Sequence, residues 1–174
     1  LGGTTGLAAF RIGGLEGGDA VVLRGLALQR SQPLEQNDPL IDVVASAGTV
    51  WIEDCTLTRG GPGVRVGPGA RVVLERTTAT GAPGFFNGFW SIPAGAGIEV
   101  QGEASVHGSS ATGGRGHDGF FSLPSIYPKA GAPGAVISDG GVLDAGVDGI
   151  AWTGPTPELA AICVKAMARR SLER

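Results

Sequence analysis

Apolar residues alternate with other residues in four short rows along the chain. In the row 49–57, for example, Val50 and Ile52 are separated by Trp51, and Cys55 and Leu57 are separated by Thr56. Such alternation predicts strands with one buried face. The four rows are 20–28, 49–57, 71–79 and 105–113. Shorter strands, each ending in a glycine-rich corner, lie between the rows and after the last one, over 42–48, 64–69, 98–102 and 136–141.

The rows repeat with a period in the twenties and thirties. Their first residues are 29, 22 and 34 residues apart, so the shortest interval defines a basic coil of 22 residues and the longer ones carry insertions. Two or three short strands per coil, glycine corners and this period are typical of a β-solenoid. We therefore predict an all-β fold of about five coils over residues 1–154, with long side loops.

Stacking the rows predicts columns of equivalent side chains. Alternate residues point inward and should form apolar columns. The expected inward columns are Val21/Val50/Val72/Val106, Leu23/Ile52/Leu74, Leu26/Cys55/Thr77/Ala111 and Leu28/Leu57/Ala79. The expected outward columns are Val22/Trp51/Val73/His107 and Arg24/Glu53/Glu75/Ser109.

The main competing fold is an antiparallel β-sandwich. Its strands need two-residue hairpin signals such as Asn-Gly between alternating runs. Asn87-Gly88 is the one such signal between rows, and it lies inside an insertion. The pattern therefore favours parallel stacking.

The repeats resemble those of right-handed parallel β-helix proteins of the pectin-lyase-like superfamily. The segment Val-Trp-Ile-Glu-Asp-Cys-Thr-Leu at 50–57 is representative, and the resemblance covers residues 10–150. The glycine-rich turns and side loops are also similar to those of bacterial cell-surface repeat proteins. This resemblance implies a right-handed parallel β-helix and an extracellular or cell-surface location. It also implies that any active site would be a carboxylate cluster on an outward sheet.

The C-terminal segment 155–174 predicts an amphipathic helix. Thr156 suits the N-cap and Pro157 the first helical position. An apolar stripe should dock on the solenoid, over the Val22/Trp51/Val73 column or over an open end. The stripe consists of Leu159, Ile162, Cys163, Ala166 and Met167. Residues 157–174 also resemble a late C-lobe stretch of bacterial Ser/Thr kinases, but the chain has no H-R-D, D-F-G or V-A-I-K motif, so no kinase activity is implied.

Composition narrows the range of functions. The chain has 32 Gly and 11 Pro, yet 42% of its residues are hydrophobic, which favours a folded domain over disorder. A net charge of −3 and two lysines give no support for nucleic-acid binding. No apolar run reaches the length of a membrane span. Because the chain begins at Leu1 without a signal-like segment, we expect a mature form or an excised fragment.

Glu53 and Glu75 are the candidate catalytic residues. The register places them on adjacent coils, about 4.8 Å apart along the stack. They would suit a Ca²⁺ site or an acid/base pair, and hence a polysaccharide lyase or glycoside hydrolase. The alternative is a charge ladder in which Arg24 pairs with Glu53 and Arg76 pairs with Asp54. We favour the ladder, and expect no catalysis, metal or cofactor.

Other polar motifs carry little chemistry. His107, His117 and Asp118 are too few for a metal site. The Gly-x-Gly-x-x-Gly match at 114–119 has no amphipathic helix after it, as a nucleotide site would require. Thr56-x-Thr58 stacks over Thr78-x-Thr80, as in ice-binding solenoids, but the expected neighbouring rows read Ala27-x-Gln29 and Thr112-x-Gly114. Ordinary strand propensity explains an array of two rows.

The aromatic residues are concentrated in two insertions that resemble each other. The segments Gly-Phe-Phe-Asn-Gly-Phe-Trp at 84–90 and Gly-Phe-Phe-Ser-Leu-Pro at 119–124 should leave adjacent coils at one corner. Seven of the ten aromatic residues lie there: Phe85, Phe86, Phe89, Trp90, Phe120, Phe121 and Tyr127. They could pack among themselves, or form a surface for a polysaccharide or a surface protein. The leading hypothesis is a noncatalytic binding module, and a spacer without a ligand is a further alternative.

Overall fold

The computed structural model describes residues 8–30, 38–86, 91–116, 131–138 and 141–145. Sixteen strands lie in these ranges. They are β1 (Phe10–Ile12), β2 (Ala20–Arg24), β3 (Ala27–Gln29), β4 (Ile41–Val43), β5 (Thr49–Glu53), β6 (Thr56–Gly60), β7 (Val64–Val66), β8 (Arg71–Glu75), β9 (Thr78–Gly81), β10 (Phe85–Phe86), β11 (Ser91–Ile92), β12 (Ile98–Val100), β13 (Glu103–His107), β14 (Ser110–Thr112), β15 (Ala135–Ile137) and β16 (Val142–Ala145).

Fourteen of the sixteen strands form three parallel sheets, which wind as a right-handed β-solenoid of about five coils. Sheet A has the order β1-β4-β7-β12-β15, sheet B β2-β5-β8-β13-β16 and sheet C β3-β6-β9-β14. Every neighbouring pair in these sheets is parallel. The described strands therefore rule out the antiparallel sandwich and confirm the predicted fold class.

The core lies inside the solenoid, where the three sheets meet. The predicted inward pairs Val50/Val72 and Ile52/Leu74 are directly opposite each other, and all four side chains are fully buried. The middle residues of the sheet A strands point outward between buried neighbours. Apolar burial in stacked columns is the main stabilising term of such a fold.

The fourth row sits two residues earlier than its apolar pattern predicted. Glu103, not Ser105, is opposite Arg71, so the interval between these rows is 32 residues. Val106 consequently lies beside Leu74 rather than Val72, and the neighbour of Val72 is the small Ala104. A slip of two residues keeps the inward and outward faces, so alternation alone cannot detect it.

The same correction moves three other predicted column members. His107 lies beside Glu75 instead of in the Val22/Trp51/Val73 column, which Ser105 continues. Ser109 takes the inward place predicted for Ala111, and Ala111 lies beside Ala79. Ser110 and Thr112 extend the threonine rows.

The corner between sheets B and C is sharp because one residue per coil adopts a left-handed conformation. The residues with positive φ at equivalent positions are Gly25, Asp54, Arg76 and Gly108. This conformation costs about 1 kcal/mol for a side-chain-bearing residue, so glycine at two of the four positions fits the geometry.

A ladder of small hydroxyl and thiol groups follows that corner on the inside. Cys55, Thr77 and Ser109 each donate to the carbonyl two residues earlier, over 3.1, 3.1 and 3.0 Å. Thr77 Oγ1 also accepts the Cys55 N–H at 3.2 Å, and Ser109 Oγ accepts the Thr77 N–H at 2.9 Å. The ladder satisfies backbone groups that are buried at the bend.

The first coil is less enclosed than the middle ones. Leu23 and Leu28 are half-buried, whereas their partners Ile52 and Leu57 on the next coil are fully buried. The predicted helix at 155–174 and the domain boundary at 154 lie outside the described residues. In the part of the chain that the structure describes, no helix has the length and apolarity to cross a membrane.

Candidate functional site

Among the strands that the structure describes, the longest connections join sheet C to sheet A. The connections 30–40, 82–97 and 113–134 all lie there, and the second coil makes the same step with residues 61–63 alone. Insertions at a single corner leave the stacked sheets undisturbed. The ends of these longer connections therefore meet at one corner of the fold.

The ends of the two aromatic insertions are hydrogen-bonded to each other. Gly114 N donates to Gly95 O at 2.8 Å, and Gly84 N donates to Arg115 O at 2.6 Å. Each insertion is also closed at its own base, by Gly95 N to Ala82 O at 2.9 Å and Ala132 N to Gly114 O at 3.0 Å. The two insertions thus leave adjacent coils side by side, as their sequences predicted.

Glycine makes this close approach of backbones possible. A Cβ atom added at Gly95 would lie 1.8 Å from the Gly61 carbonyl oxygen, and one at Gly114 would lie 1.7 Å from the Ala82 carbonyl oxygen. Both obstructing atoms are backbone, which cannot rotate away. No larger residue fits at these two positions without separating the coils.

The structure describes only part of the predicted aromatic cluster. Phe85 and Phe86 form β10, which pairs antiparallel with β11 across the Asn87-Gly88 signal. The Phe85 side chain is half-buried. The side chain of Phe86 and the residues Phe89, Trp90, Phe120, Phe121 and Tyr127 lie outside the described part. Their mutual arrangement stays a prediction.

A groove of about 270 Å³ runs along the outer side of this corner. Pro62, Pro93 and Pro133 contribute apolar walls from three successive turns. Arg65 of β7 and Glu99 of β12 line it with a charged pair, in which Arg65 Nε donates to Glu99 Oε2 at 2.9 Å. Their side chains are 33% and 35% exposed, so the pair is accessible from the groove.

Sequence reasoning missed this pair although a signal was present. The segments Val-Arg-Val at 64–66 and Ile-Glu-Val at 98–100 occupy equivalent positions and carry opposite charges at their centres. Arg11 and Asp42 form a similar pair on the same outward column, 3.6 Å apart. The outward column of sheet A therefore carries oppositely charged pairs, as the outward face of sheet B does.

Glu53 and Glu75 are each bound by an arginine. They lie opposite each other on β5 and β8. Arg24 Nε donates to Glu53 at 2.7 Å, and Glu53 is 9% exposed, while Glu75 forms an ion pair with Arg76. The arrangement is that of a charge ladder.

Arg76 links two columns of this ladder. It donates from Nε and Nη2 to the two carboxylate oxygens of Asp54, at 2.7 and 3.2 Å, in addition to its contact with Glu75. The hydrogen bonds from Arg76, reinforced by its charge, hold the pKa of Asp54 below its usual range. The same bonds raise the pKa of Arg76. The two parallel hydrogen bonds give this Arg76–Asp54 pair the bidentate geometry typical of arginine–carboxylate recognition.

The remaining polar candidates that the structure describes form no larger cluster. His107 is exposed, beside Glu75, and His117 and Asp118 lie outside the described residues. Across the described ranges, no three His, Cys, Asp or Glu side chains come close enough to hold a metal ion. The hydroxyl rows on sheet C number three rather than two, because Ser110-x-Thr112 follows Thr78-x-Thr80 and Ser110 Oγ lies 3.3 Å from Thr78 Oγ1.

Comparisons with protein-family profiles, with curated proteins and with solved structures returned no match. The fold itself therefore defines the class of this protein, a three-sheet parallel β-solenoid.

Proposed function

We propose that the protein is a noncatalytic, extracellular or cell-surface solenoid module that binds carbohydrate or a surface protein through the sheet C–sheet A corner. The joined bases of the two aromatic insertions carry this proposal, since Gly84 and Gly114 bind chain from the neighbouring insertion directly. A rigid scaffold that presents neighbouring aromatic segments is a common design for a binding surface. Membership of the pectin-lyase-like superfamily belongs to the same proposal and is supported by the three parallel sheets.

The arginine-bound state of Glu53 and Glu75 supports a binding role over a catalytic one. A lyase or glycosidase needs a carboxyl or a base that can exchange a proton with substrate. Here both carboxylates are already engaged by guanidinium groups. The proposal therefore places binding at the corner and leaves sheet B as scaffold.

Removal of aromatic rings from the insertions tests the proposal. We expect the double variant Trp90→Ala, Phe121→Ala to lose at least about tenfold in affinity for the polysaccharide or isolated surface protein that the unaltered chain binds, since stacked rings contribute strongly to such surfaces. The measurement is a titration against soluble glucans, cellulose, chitin and peptidoglycan. Trp51→Ala, which removes a ring from the outer face of sheet B, is the matched control.

Two binding results would contradict the proposed site. One is full binding by the double variant while its melting temperature stays that of the parent. The other is equal loss in Trp51→Ala, which would place the ligand on sheet B. A localisation inside the cell, measured by protease shaving of intact cells, would overturn the surface assignment.

A further inference from the structure

Two exposed arginines differ from the other described arginines because no described carboxylate pairs with them. Six of the eight arginines in the described ranges form an ion pair with Asp or Glu, namely Arg11, Arg24, Arg30, Arg65, Arg71 and Arg76. Arg59 and Arg115 are exposed and have no such partner in the part of the chain that the structure describes. Because a guanidinium stays charged at physiological pH, both carry an uncompensated positive charge on the described surface.

Arg59 has an unfavourable backbone conformation. Its φ is 62°, in the left-handed region that residues other than glycine rarely adopt. It is also the extra residue of a bulge between β6 and β9, since Thr58 lies opposite Thr80 and Gly60 lies opposite Gly81. Bulges near functional sites commonly change the direction of a side chain. This one leaves a charged side chain exposed at the end of sheet C.

Both arginines lie beside the start of the first aromatic insertion. Ala82 N donates to Gly60 O at 2.6 Å, and Gly60 directly follows Arg59. Gly84 N donates to Arg115 O at 2.6 Å. One arginine is therefore one coil before this start and the other is one coil after it, about 10 Å away along the stack. The aromatic pair of β10 follows directly between them.

We infer that this corner binds an acidic segment of a partner protein, with Arg59 and Arg115 each hydrogen-bonded to a carboxylate on either side of the first insertion. A guanidinium without a carboxylate of its own can bind one in the bidentate geometry that Arg76 forms with Asp54. In an extended chain, acidic residues three positions apart are also about 10 Å apart. An acidic segment thus matches both the charge and the spacing of the two arginines.

The charge of the whole molecule makes this attraction local. The chain has a net charge of −3, so an acidic partner is attracted only where positive charge is concentrated. A protein segment fits the surroundings better than an acidic polysaccharide, because apolar side chains between its acidic residues can pack on the half-buried Phe85. This inference rests on the proposed function and names the partner class of the same corner.

The test titrates a synthetic, fluorescently labelled peptide with glutamate at every third position and leucine and glycine between. Anisotropy is measured at low ionic strength, where surface charges are least screened. We expect the parent to bind the peptide and Arg115→Gln to bind it about tenfold more weakly, the usual effect of losing a charge-assisted hydrogen bond. Arg71→Gln removes one positive charge from an exposed, Glu103-bound arginine on sheet B, and should bind like the parent.

Arg59→Gly separates binding from folding. Glycine adopts the left-handed conformation without strain, so this variant loses the charge and keeps the bulge. We expect peptide affinity to fall about tenfold while the melting temperature equals or exceeds that of the parent. A residue retained for the fold would show the opposite effect on the melting temperature.

Several results would overturn the inference. They are parental binding by both Arg59→Gly and Arg115→Gln, equal weakening in Arg71→Gln, and a melting temperature of Arg59→Gly below that of the parent. Absence of peptide binding by the parent at about 1 mM would also overturn it. Tighter binding of polygalacturonate than of the peptide would do so too, because the ligand would then be an acidic polysaccharide.

Two results distinguish this inference from the proposed function. Binding of a polysaccharide or an isolated surface protein that needs Trp90 and Phe121 but is indifferent to both arginines would reject the acidic partner and retain the proposed function. Peptide binding that needs Arg59 and Arg115, and is unchanged in Trp90→Ala, Phe121→Ala, would retain the acidic partner and reject the aromatic surface.

Discussion

Residue-level chemistry decides how the solenoid turns from sheet B to sheet C. The column Leu26/Cys55/Thr77/Ser109 changes from apolar to small and polar along the stack. Its polar members bind backbone groups of the preceding coil: Thr77 accepts from the Cys55 N–H and donates to the Ile52 carbonyl, and Ser109 accepts from the Thr77 N–H. A buried amide left without a partner costs about 1 to 3 kcal/mol. Threonine is therefore present at position 77 for its hydroxyl rather than for strand propensity.

Two adjacent threonines provide a direct test of this ladder. Thr77 is 1% exposed and accepts from the Cys55 N–H, whereas Thr78 lies on the exposed face of sheet C. We expect Thr77→Val to lower the free energy of unfolding by about 2 kcal/mol, because the shape is kept and the buried donor loses its acceptor. Thr78→Val should change it by less than about 0.5 kcal/mol. Urea unfolding measures both, and similar losses in the two variants would show that the hydroxyl ladder has no stabilising role.

At the level of elements, the pairing register of β13 is where the structure differs from the sequence prediction. Alternation predicted the inward and outward faces of β2, β5 and β8 and their pairing correctly. It misplaced β13 because Val106 was matched to Val72 by residue type, while the structure matches it to Leu74 and tolerates the small Ala104 next to Val72. The left-handed corner gave the information that alternation lacks. Gly108 aligns with Asp54 and Arg76 only in the observed register.

The candidate site was also predictable only in part. The similar sequences of the two insertions and their positions after successive rows predicted that they leave neighbouring coils, and the hydrogen bonds between their ends confirm it. The groove was not predictable, since its walls come from Pro62, Pro93 and Pro133, which are far apart in the chain and meet only through the stacking of three turns. The opposite charges of Arg65 and Glu99 could be seen by aligning the segments 64–66 and 98–100, but their position beneath these walls could not.

The glycine corner that anchors the insertions can be tested with one methyl group. At Gly114 an added Cβ would overlap the Ala82 carbonyl oxygen, whereas at Gly17 it would meet nothing within 4 Å. We expect Gly114→Ala to destabilise the protein by about 1 to 3 kcal/mol, since overpacking against backbone forces the coils apart. Gly17→Ala should be neutral or stabilising by up to about 1 kcal/mol through the unfolded chain. Thermal unfolding of both variants is the measurement, and a parental melting temperature for Gly114→Ala would contradict the close packing at the corner.

At the scale of the whole molecule, stability is distributed along the stack. Each coil buries its inward face only against its neighbours, so a middle coil is covered on two sides and a terminal coil on one. The side chains of one column show this directly: Leu23 on the first coil is half-buried, and Ile52, Leu74 and Val106 behind it are 0, 0 and 3% exposed. The proposed binding corner at Gly95 and Gly114 lies on the well-covered middle coils. A binding surface placed there keeps its shape even when the first coil opens.

This gradient predicts that the same substitution has different effects at two levels of one column. We expect Leu74→Ala to lower the free energy of unfolding by about 2 to 5 kcal/mol, the usual cost of a cavity in a closed core. Leu23→Ala should cost no more than about half of that, because the Leu23 side chain already meets solvent and the first coil can relax around the gap. Hydrogen exchange should show the same order, with amides of β2 exchanging before those of β8. Equal losses in free energy of unfolding for the two substitutions, with equal exchange protection of β2 and β8, would contradict this prediction. The first coil would then be covered as fully as the middle of the solenoid.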